Sequence, residues 1–296
     1  MTARPIKWIA FAVLLVAIGS VAYYVRLMFE GSLPVPQYVP LGFFNLRLYS
    51  LMMLTAAFAG YVLAQRRRAQ YGFSESEIDT LFFLCVIFGL IGARMHHVLS
   101  AWSYYRENPE LIVALWNGGM GFYGALVGGM VGALLWAGRA RKPFLAVADF
   151  LAPAIILGQA IGRWGNFFNQ EAYGVPTDLP WKMYVTPDKR LTLAEFYHPY
   201  FLYESLANLL VFFIVLYIAR RTKQTGVVFG WYLILYSIGR FLLEQLRQDS
   251  SMWQGFRLNQ VLALVMIATG VAVVAWGTAK SLRDGSSHDR VQNANL

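Results

Sequence analysis

Eight stretches of this chain are long and apolar enough to cross a lipid bilayer, and this constrains its fold more than any motif does. A membrane-spanning helix takes roughly 20 mostly apolar residues, because backbone groups find no water inside hydrocarbon. The runs are Trp8–Met28, Leu46–Ala64, Thr80–Ser100, Gly119–Gly138, Val147–Gly162, Phe201–Ala219, Val227–Leu243 and Gln260–Gly277. The fifth is short and holds Pro153, so a tilted or partly re-entrant segment also fits it. Only 14% of the residues are charged and 57% are hydrophobic, whereas soluble domains carry about 25% charged residues. A solvated globular enzyme is therefore excluded, and so is disorder. The expected fold class is all-α: a polytopic membrane helical bundle of about eight transmembrane helices.

Lysine and arginine placement orients the bundle. With the N-terminus inside, the inner connections hold Arg4, Lys7, Arg66, Arg67, Arg68, Arg139, Arg141, Lys142, Arg220, Arg221, Lys223, Lys280, Arg283 and Arg290. The outer ones hold Arg106, Arg163, Lys182, Lys189, Arg190, Arg247 and Arg257. Fourteen against seven predicts both termini in the cytoplasm. The first run follows Arg4 and Lys7 as a secretory signal would. Its apolar stretch is longer than an ordinary signal core and Ala22–Arg26 is a poor cleavage site, which favours a retained helix. The net charge of +9 is thus spent on loops beside a lipid bilayer, and no nucleic-acid partner is expected. The single cysteine, Cys85, leaves no internal disulfide, and no carboxylate or histidine spacing suggests a metal or other cofactor. The outer connection from Arg163 to Pro199 carries Pro176, Pro180, Pro187 and Pro199 and reads as a small outer-face cap.

Ionisable groups in membrane spans are costly and face the bundle interior. In this topology Tyr49, Arg94, His96, His97, Tyr123, Arg163, Asn166, Glu171, His198, Tyr203, Glu204, Arg240, Glu244 and Arg247 come from distant stretches of chain yet share one depth near the outer face. Arg240, Glu244 and Arg247 also have the i, i+4, i+7 spacing of an ion-pair ladder, and Glu204 can serve simply to neutralise an arginine. Gly124, Gly128 and Gly132 have the spacing of close helix packing. Several guanidinium groups at headgroup depth suit an anionic phospholipid, because arginine grips phosphate oxygens bidentately and stays charged in low dielectric. The same groups stabilise a leaving phosphate. A transporter or flippase would use the same arginines but needs access to both faces, which the outer-half confinement argues against. A non-catalytic membrane scaffold is the third reading.

The stretch Arg163-Trp164-Gly165-Asn166-Phe167-Phe168-Asn169-Gln170-Glu171, ending at Gly174, resembles the prolipoprotein diacylglyceryl transferase family and its G-R-x-G-N-F-x-N-x-E-x-x-G signature. Tyr49 with Leu51 and Met52, the Trp116–Met120 stretch, His198-Pro199 with Leu202-Tyr203-Glu204, and Tyr236, Arg240, Glu244, Arg247 and Gln248 fit the same pattern in order. The likeness covers about residues 41–280. It implies a seven-span transferase domain there, preceded by an additional N-terminal helix in residues 1–40 and followed by a polar cytoplasmic tail, 281–296. It implies transfer of the diacylglyceryl group of phosphatidylglycerol to the lipobox cysteine thiol of a prolipoprotein signal peptide, releasing glycerol phosphate at the outer face of the bacterial inner membrane. Arg163 and Arg240 would hold the phosphate, with Arg163, Arg240, Glu171, Tyr123 and His97 as the catalytic group. Asn166, Asn169, Gly174, Tyr49, Arg94, Tyr203, Glu204, Tyr236, Glu244 and Arg247 would bind or shape substrate.

Two positions depart from the pattern. Tyr123 stands where many members carry histidine, and His97 stands where the family's R-x-G-Y carries tyrosine. Either no histidine is needed, or His97 supplies the base from a neighbouring helix. An imidazole with an ordinary pKa of about 6.5 suits removal of a thiol proton near neutral pH, whereas a tyrosine near 10 is better placed to donate a hydrogen bond. With His97 as base, His97→Ala loses activity severely, Tyr123→Phe loses it moderately, and raising the pH toward the thiol's own pKa partly rescues His97→Ala. Full activity of His97→Ala at neutral pH, measured as initial transfer rate, would leave thiol activation to the arginines alone.

Overall fold

The computed structural model describes residues 3–42, 44–115 and 118–294, with side chains between 13 and 283. Trp116 and Asn117, and the side chains of Arg4, Lys7 and Arg290 used in the charge count, lie outside the described residues. The chain is helical. It runs through α1 (Ala3–Phe29), α2 (Leu48–Arg67), α3 (Glu75–Ser100), the short α4 (Trp102–Tyr105), α5 (Phe122–Arg139), α6 (Phe144–Asn169), α7 (Tyr200–Arg221), α8 (Val227–Leu243) and α9 (Leu258–Ala294). Three two-stranded antiparallel hairpins interrupt it: β1–β2 (Tyr38–Pro40 and Asn45–Arg47), β3–β4 (Met183–Tyr184 and Phe196–Tyr197) and β5–β6 (Met252–Trp253 and Phe256–Arg257).

Each of the eight apolar runs falls largely in one long helix, although α6 runs on to Asn169 and α9 to Ala294, well past the ends of their runs. Among the described residues, six stretches are long and apolar enough to cross a membrane: Leu48–Tyr71, Glu75–Ser100, Phe144–Asn169, Tyr200–Arg221, Val227–Leu246 and Leu258–Arg283. The apolar stretch Val13–Phe29 is shorter. Large apolar side chains such as Leu54, Phe58, Phe83, Leu210 and Phe213 point outward, the reverse of a soluble surface and the expected face toward lipid. This is a multi-pass membrane protein. The fifth run differs from its short or re-entrant reading: α6 is one continuous helix of 26 residues with Pro153 inside it. Proline removes the bond to the carbonyl four residues back, at Asp149. Packing offsets that loss, since half of the most apolar stretch of this helix is buried.

The chain divides into two compact units, the first comprising residues up to Ala56, Gly158–Val211 and Leu235–Ile267. Its core joins Phe167, Tyr173, Met183, Val185, Tyr197 and Phe201, with Met28 and Phe29 of α1 packed against them. Phe29 lies 5.7 Å from Phe167 between ring centroids, so the end of the N-terminal helix packs on α6. Tyr197 is fully buried and its hydroxyl bonds Thr192 and Ala194, closing the loop between the strands.

The second unit comprises Ala57–Leu157, Phe212–Ile234 and residues from Ala268 on. Its core gathers Phe73, Ile78, Leu81, Trp136, Val147 and Phe150. Here α3 and α5 approach backbone to backbone: a Cβ at Gly92 would strike the Gly124 carbonyl, and one at Gly128 would strike the Phe88 carbonyl. Small residues at that spacing let two helices close in lipid, where apolar burial offers no driving force between them. Cys85 belongs to this packing, its Cα lying 3.0 Å from where a Cβ on Gly132 would be. Asp149 of α6 caps the start of α8, accepting from the backbone N–H of Gly226 at 2.5 Å and of Phe229 at 2.7 Å.

Candidate active site

The first unit places two arginines and two glutamates in one line. Arg163, near the end of α6, meets Glu204 Oε2 on the first turns of α7 at 2.9 Å. Arg240, near the end of α8, meets Glu204 Oε1, donates to the Tyr200 hydroxyl at 2.9 Å and pairs with Glu244 Oε2 at 3.0 Å. Both glutamates are buried, at 4% and 0% exposure. Such charges are tolerated away from water only when paired and hydrogen-bonded. Glu244 is hydrogen-bonded on one oxygen, since its Oε1 accepts from Ser250 Oγ at 2.9 Å and Asn259 Nδ2 at 2.8 Å, while Oε2 faces Arg240 as an ion pair. Arg257 donates to its backbone carbonyl.

The two arginines differ in what they have left. Arg240 commits both terminal nitrogens to Glu204, Tyr200 and Glu244. Arg163 commits Nη1 to Glu204, while its Nε and Nη2 make no hydrogen bond among the described residues. Arg163 is also the more exposed, with 20% of its side chain accessible against 11% for Arg240.

The turn leaving α6 explains the local sequence. Gln170 adopts a left-handed φ of 50°, Glu171 N donates to Asn166 O at 3.0 Å, and Gln170 N donates to Phe167 O at 3.0 Å. That is the Schellman termination, here with glutamine where glycine is usual. The conformation costs about 1 kcal/mol or more, and the buried Gln170 side chain offsets it: Oε1 accepts from Thr186 N at 2.9 Å and Nε2 donates to Tyr184 O at 3.2 Å. Asn166 Nδ2 donates to Glu171 Oε1 at 3.0 Å, which fixes that exposed carboxylate beside the turn. Asn169 is the last residue of α6.

Two glycines are needed for close approach. The Tyr49 ring lies on Gly165, where a Cβ would come within 2.9 Å of it. Gly174 sits between His198 and Leu246, where a Cβ would be 2.7 Å from His198 Cβ. Gly174 N donates to His198 O at 3.0 Å and Val175 N to Leu246 O at 2.8 Å, so this segment stitches the start of α7 to the end of α8. The Tyr203 hydroxyl accepts from Trp181 Nε1 at 2.7 Å and lies 3.1 Å from His198 Nδ1. Burial holds the His198 imidazole below its usual pKa, which keeps it neutral at pH 7. Arg247 grips Asp249 with Nε at 2.6 Å and Nη2 at 3.1 Å. Burial alone would raise the Asp249 carboxyl, but this fork holds it below its usual value. Tyr236 precedes Arg240 by one turn on α8.

Arg94, His97 and Tyr123 belong to the second unit. The Arg94 side chain is engaged by the protein's own backbone. Its guanidinium donates to four backbone carbonyls, those of Ile112 (2.8 Å), Gly118 (2.6 Å), Gly119 (3.1 Å) and Leu111. Gly118 and Gly119 reach it through φ angles of 79° and 76°. His97 packs against Gly119 and, edge to face, on Tyr105. Tyr123 has His96 as its ring neighbour, centroids 6.3 Å apart, so α3 presents its other histidine to that tyrosine. Among the described residues no three His, Cys, Asp or Glu side chains converge as metal ligands. Gln170, Ser250, Arg257 and Asn259 are supporting residues that sequence reasoning missed. Only Gln170 carried a signal, as a polar residue just past a helix end.

Comparison with known proteins gives the chain a family. The family model described as Prolipoprotein diacylglyceryl transferase matches residues 36–276. A phosphatidylglycerol–prolipoprotein diacylglyceryl transferase of Fervidobacterium nodosum is 38% identical over 276 residues, covering 91% of this chain and 94% of that protein. Proteins of the same name from Thermosynechococcus vestitus and Thermotoga maritima are 43% and 41% identical, over 80% and 88% of this chain and 89% and 92% of theirs.

Gln170→Ala is expected to destabilise the protein by about 1 kcal/mol or more, since it removes two part-buried hydrogen bonds, to Thr186 N and Tyr184 O. Thermal unfolding in detergent measures this, and an unchanged midpoint would show that the turn holds without its side-chain clasp.

Proposed function

The chain belongs to the prolipoprotein diacylglyceryl transferase family, and from that premise we propose how its site works. The protein is a transferase that moves the diacylglyceryl group of phosphatidylglycerol to a prolipoprotein, the first step of lipoprotein maturation. The acceptor is the lipobox cysteine thiol of the signal peptide, and the reaction takes place at the outer face of the inner membrane. Eight spans with both termini in the cytoplasm would put the Arg163–Pro199 cap on that face.

The observation that carries the mechanism is the uneven commitment of the two arginines. Arg163 holds Glu204 with one nitrogen and has a second edge of its guanidinium unspent, which is the edge a phosphodiester oxygen pair fits. Arg240, fully engaged, keeps Glu204 in place and adds positive charge behind it. The quartet of Arg163, Glu204, Arg240 and Glu244 is neutral when paired, and an arriving phosphate takes the open edge of Arg163 while Glu204 keeps the other. The cysteine sulfur attacks the glyceryl carbon that bears the phosphate. A C–S bond forms, the C–O bond breaks, and glycerol phosphate departs with the charge that Arg163 stabilises. Asn166, Asn169, Gly174 and Tyr49 shape the ground around Arg163, and Tyr203, Tyr236 and Arg247 hold the neighbouring elements. Arg94 acts through the loop its four carbonyl bonds fix. The thiol proton has two candidate acceptors, Glu171 and His97.

Purified protein in vesicles of labelled phosphatidylglycerol, given a lipobox peptide, should produce labelled peptide and free glycerol phosphate in equal amounts, with no label on a peptide whose cysteine is replaced by serine. Movement of the lipid between leaflets without peptide labelling would instead establish a flippase.

A further inference from the structure

Three helices of the first unit each carry a polar or charged residue at the depth of the quartet: Arg163 on α6, Glu204 on α7 and Arg240 on α8. One turn further from the cap-side ends of α7 and α8 lie Asn208 and Ser237. The pairing of these antiparallel helices sets them level with each other. Glu204 meets Arg240, and a Cβ on Gly239 would touch Ala207 at 3.9 Å, so the next residues in register are Asn208 and Ser237. Both are buried, at 5% and 0% exposure. Asn208 Nδ2 and Ser237 Oγ have no hydrogen-bond partner among the described residues. The neighbouring Ser205, by contrast, donates to the Ala160 carbonyl at 2.8 Å.

A buried donor without an acceptor is a cost that folding does not ordinarily retain. Here two of them lie on adjoining helices at about one level, about 5.4 Å (one helical turn) below the guanidinium layer. A phospholipid whose phosphate rests on Arg163 brings acceptors to that level, since the ester carbonyls of its glyceryl backbone lie a few bonds below phosphorus. We propose that Asn208 and Ser237 form a subsite for an ester carbonyl of the diacylglyceryl group, which rests on the reading of phosphatidylglycerol as donor. The esters are untouched by the reaction, so this contact positions the lipid. It fixes the glyceryl carbon against rotation while sulfur approaches in line with the breaking C–O bond. Ester-linked donors are thereby favoured over lipids that offer no carbonyl.

The test compares ordinary diester phosphatidylglycerol with a diether analogue of the same chain length, in wild type, Ser237→Ala and Asn208→Leu. Wild type should favour the diester by about tenfold in kcat/KM, or about 1.4 kcal/mol. Each variant should bring the ratio toward one by slowing the diester reaction while leaving the diether reaction unchanged. A wild-type ratio near one overturns the subsite. So does a preference that survives in both variants, which would mean that internal water, not lipid, occupies the two donors. Should Asn208→Leu fail to fold, the wild-type ratio and the small Ser237→Ala change still decide. Absence of transfer from the diester itself would count against the donor assignment, a different failure from equal use of both lipids.

Discussion

A single buried carboxylate holds the site together. Glu204 receives Arg163 from α6 on one oxygen and Arg240 from α8 on the other, so one side chain of α7 ties three helices. Removing one partner of a buried ion pair typically costs 3–5 kcal/mol, because a naked charge stays behind. Glu244 repeats the device from the other side of Arg240, with Ser250 and Asn259 satisfying its second oxygen. Every charge in this line therefore has a fixed neighbour, and the free edge of Arg163 is held in place before any lipid arrives. Preorganisation of that kind is what makes an electrostatic contact effective in a reaction that expels an anion.

The residues around the quartet do architectural work that resembles chemistry when read as a motif. Gly165 leaves room for the Tyr49 ring, and Gly174 lets a strand pass between His198 and Leu246. Asn166 lends its carbonyl to the turn that ends α6 and its amide to Glu171. Gln170 holds a left-handed backbone by clasping the strand that contains Tyr184. The cap is thus built directly on the last turn of α6, four to seven residues beyond Arg163 in sequence, and its placement and that of the guanidinium are set by the same helix end.

Much of this was legible without coordinates because bilayers impose simple periodic demands. Apolar runs marked every long helix, and the glycine spacing on α5 marked its closure on α3. The i, i+4 relation of Arg240 and Glu244 was readable as a pair, and it is one. Other features were hidden because they depend on partners remote in sequence. The donors of Arg94 turn to the carbonyls of a loop about twenty residues on, acceptors that no composition advertises. The ring contact of Tyr123 with His96 likewise could not be read from the sequence. Pro153 suggested a break, but burial of α6 outweighed one lost hydrogen bond. Asn208 and Ser237 were silent in the sequence, because polar residues in an apolar run gain meaning only when their level and isolation are seen.

What Arg163 contributes is the shape of its side chain, beyond its charge. Initial rates of diacylglyceryl transfer by Arg163→Lys, compared with wild type at saturating peptide, test this most directly. An ammonium keeps the positive charge but cannot present two parallel donors to a phosphate while retaining Glu204. The expected result is a loss of at least tens-fold in kcat/KM, equivalent to about 2 kcal/mol or more of transition-state stabilisation, in protein that still unfolds cooperatively. Activity within about twofold of wild type would contradict it, reducing Arg163 to a background charge.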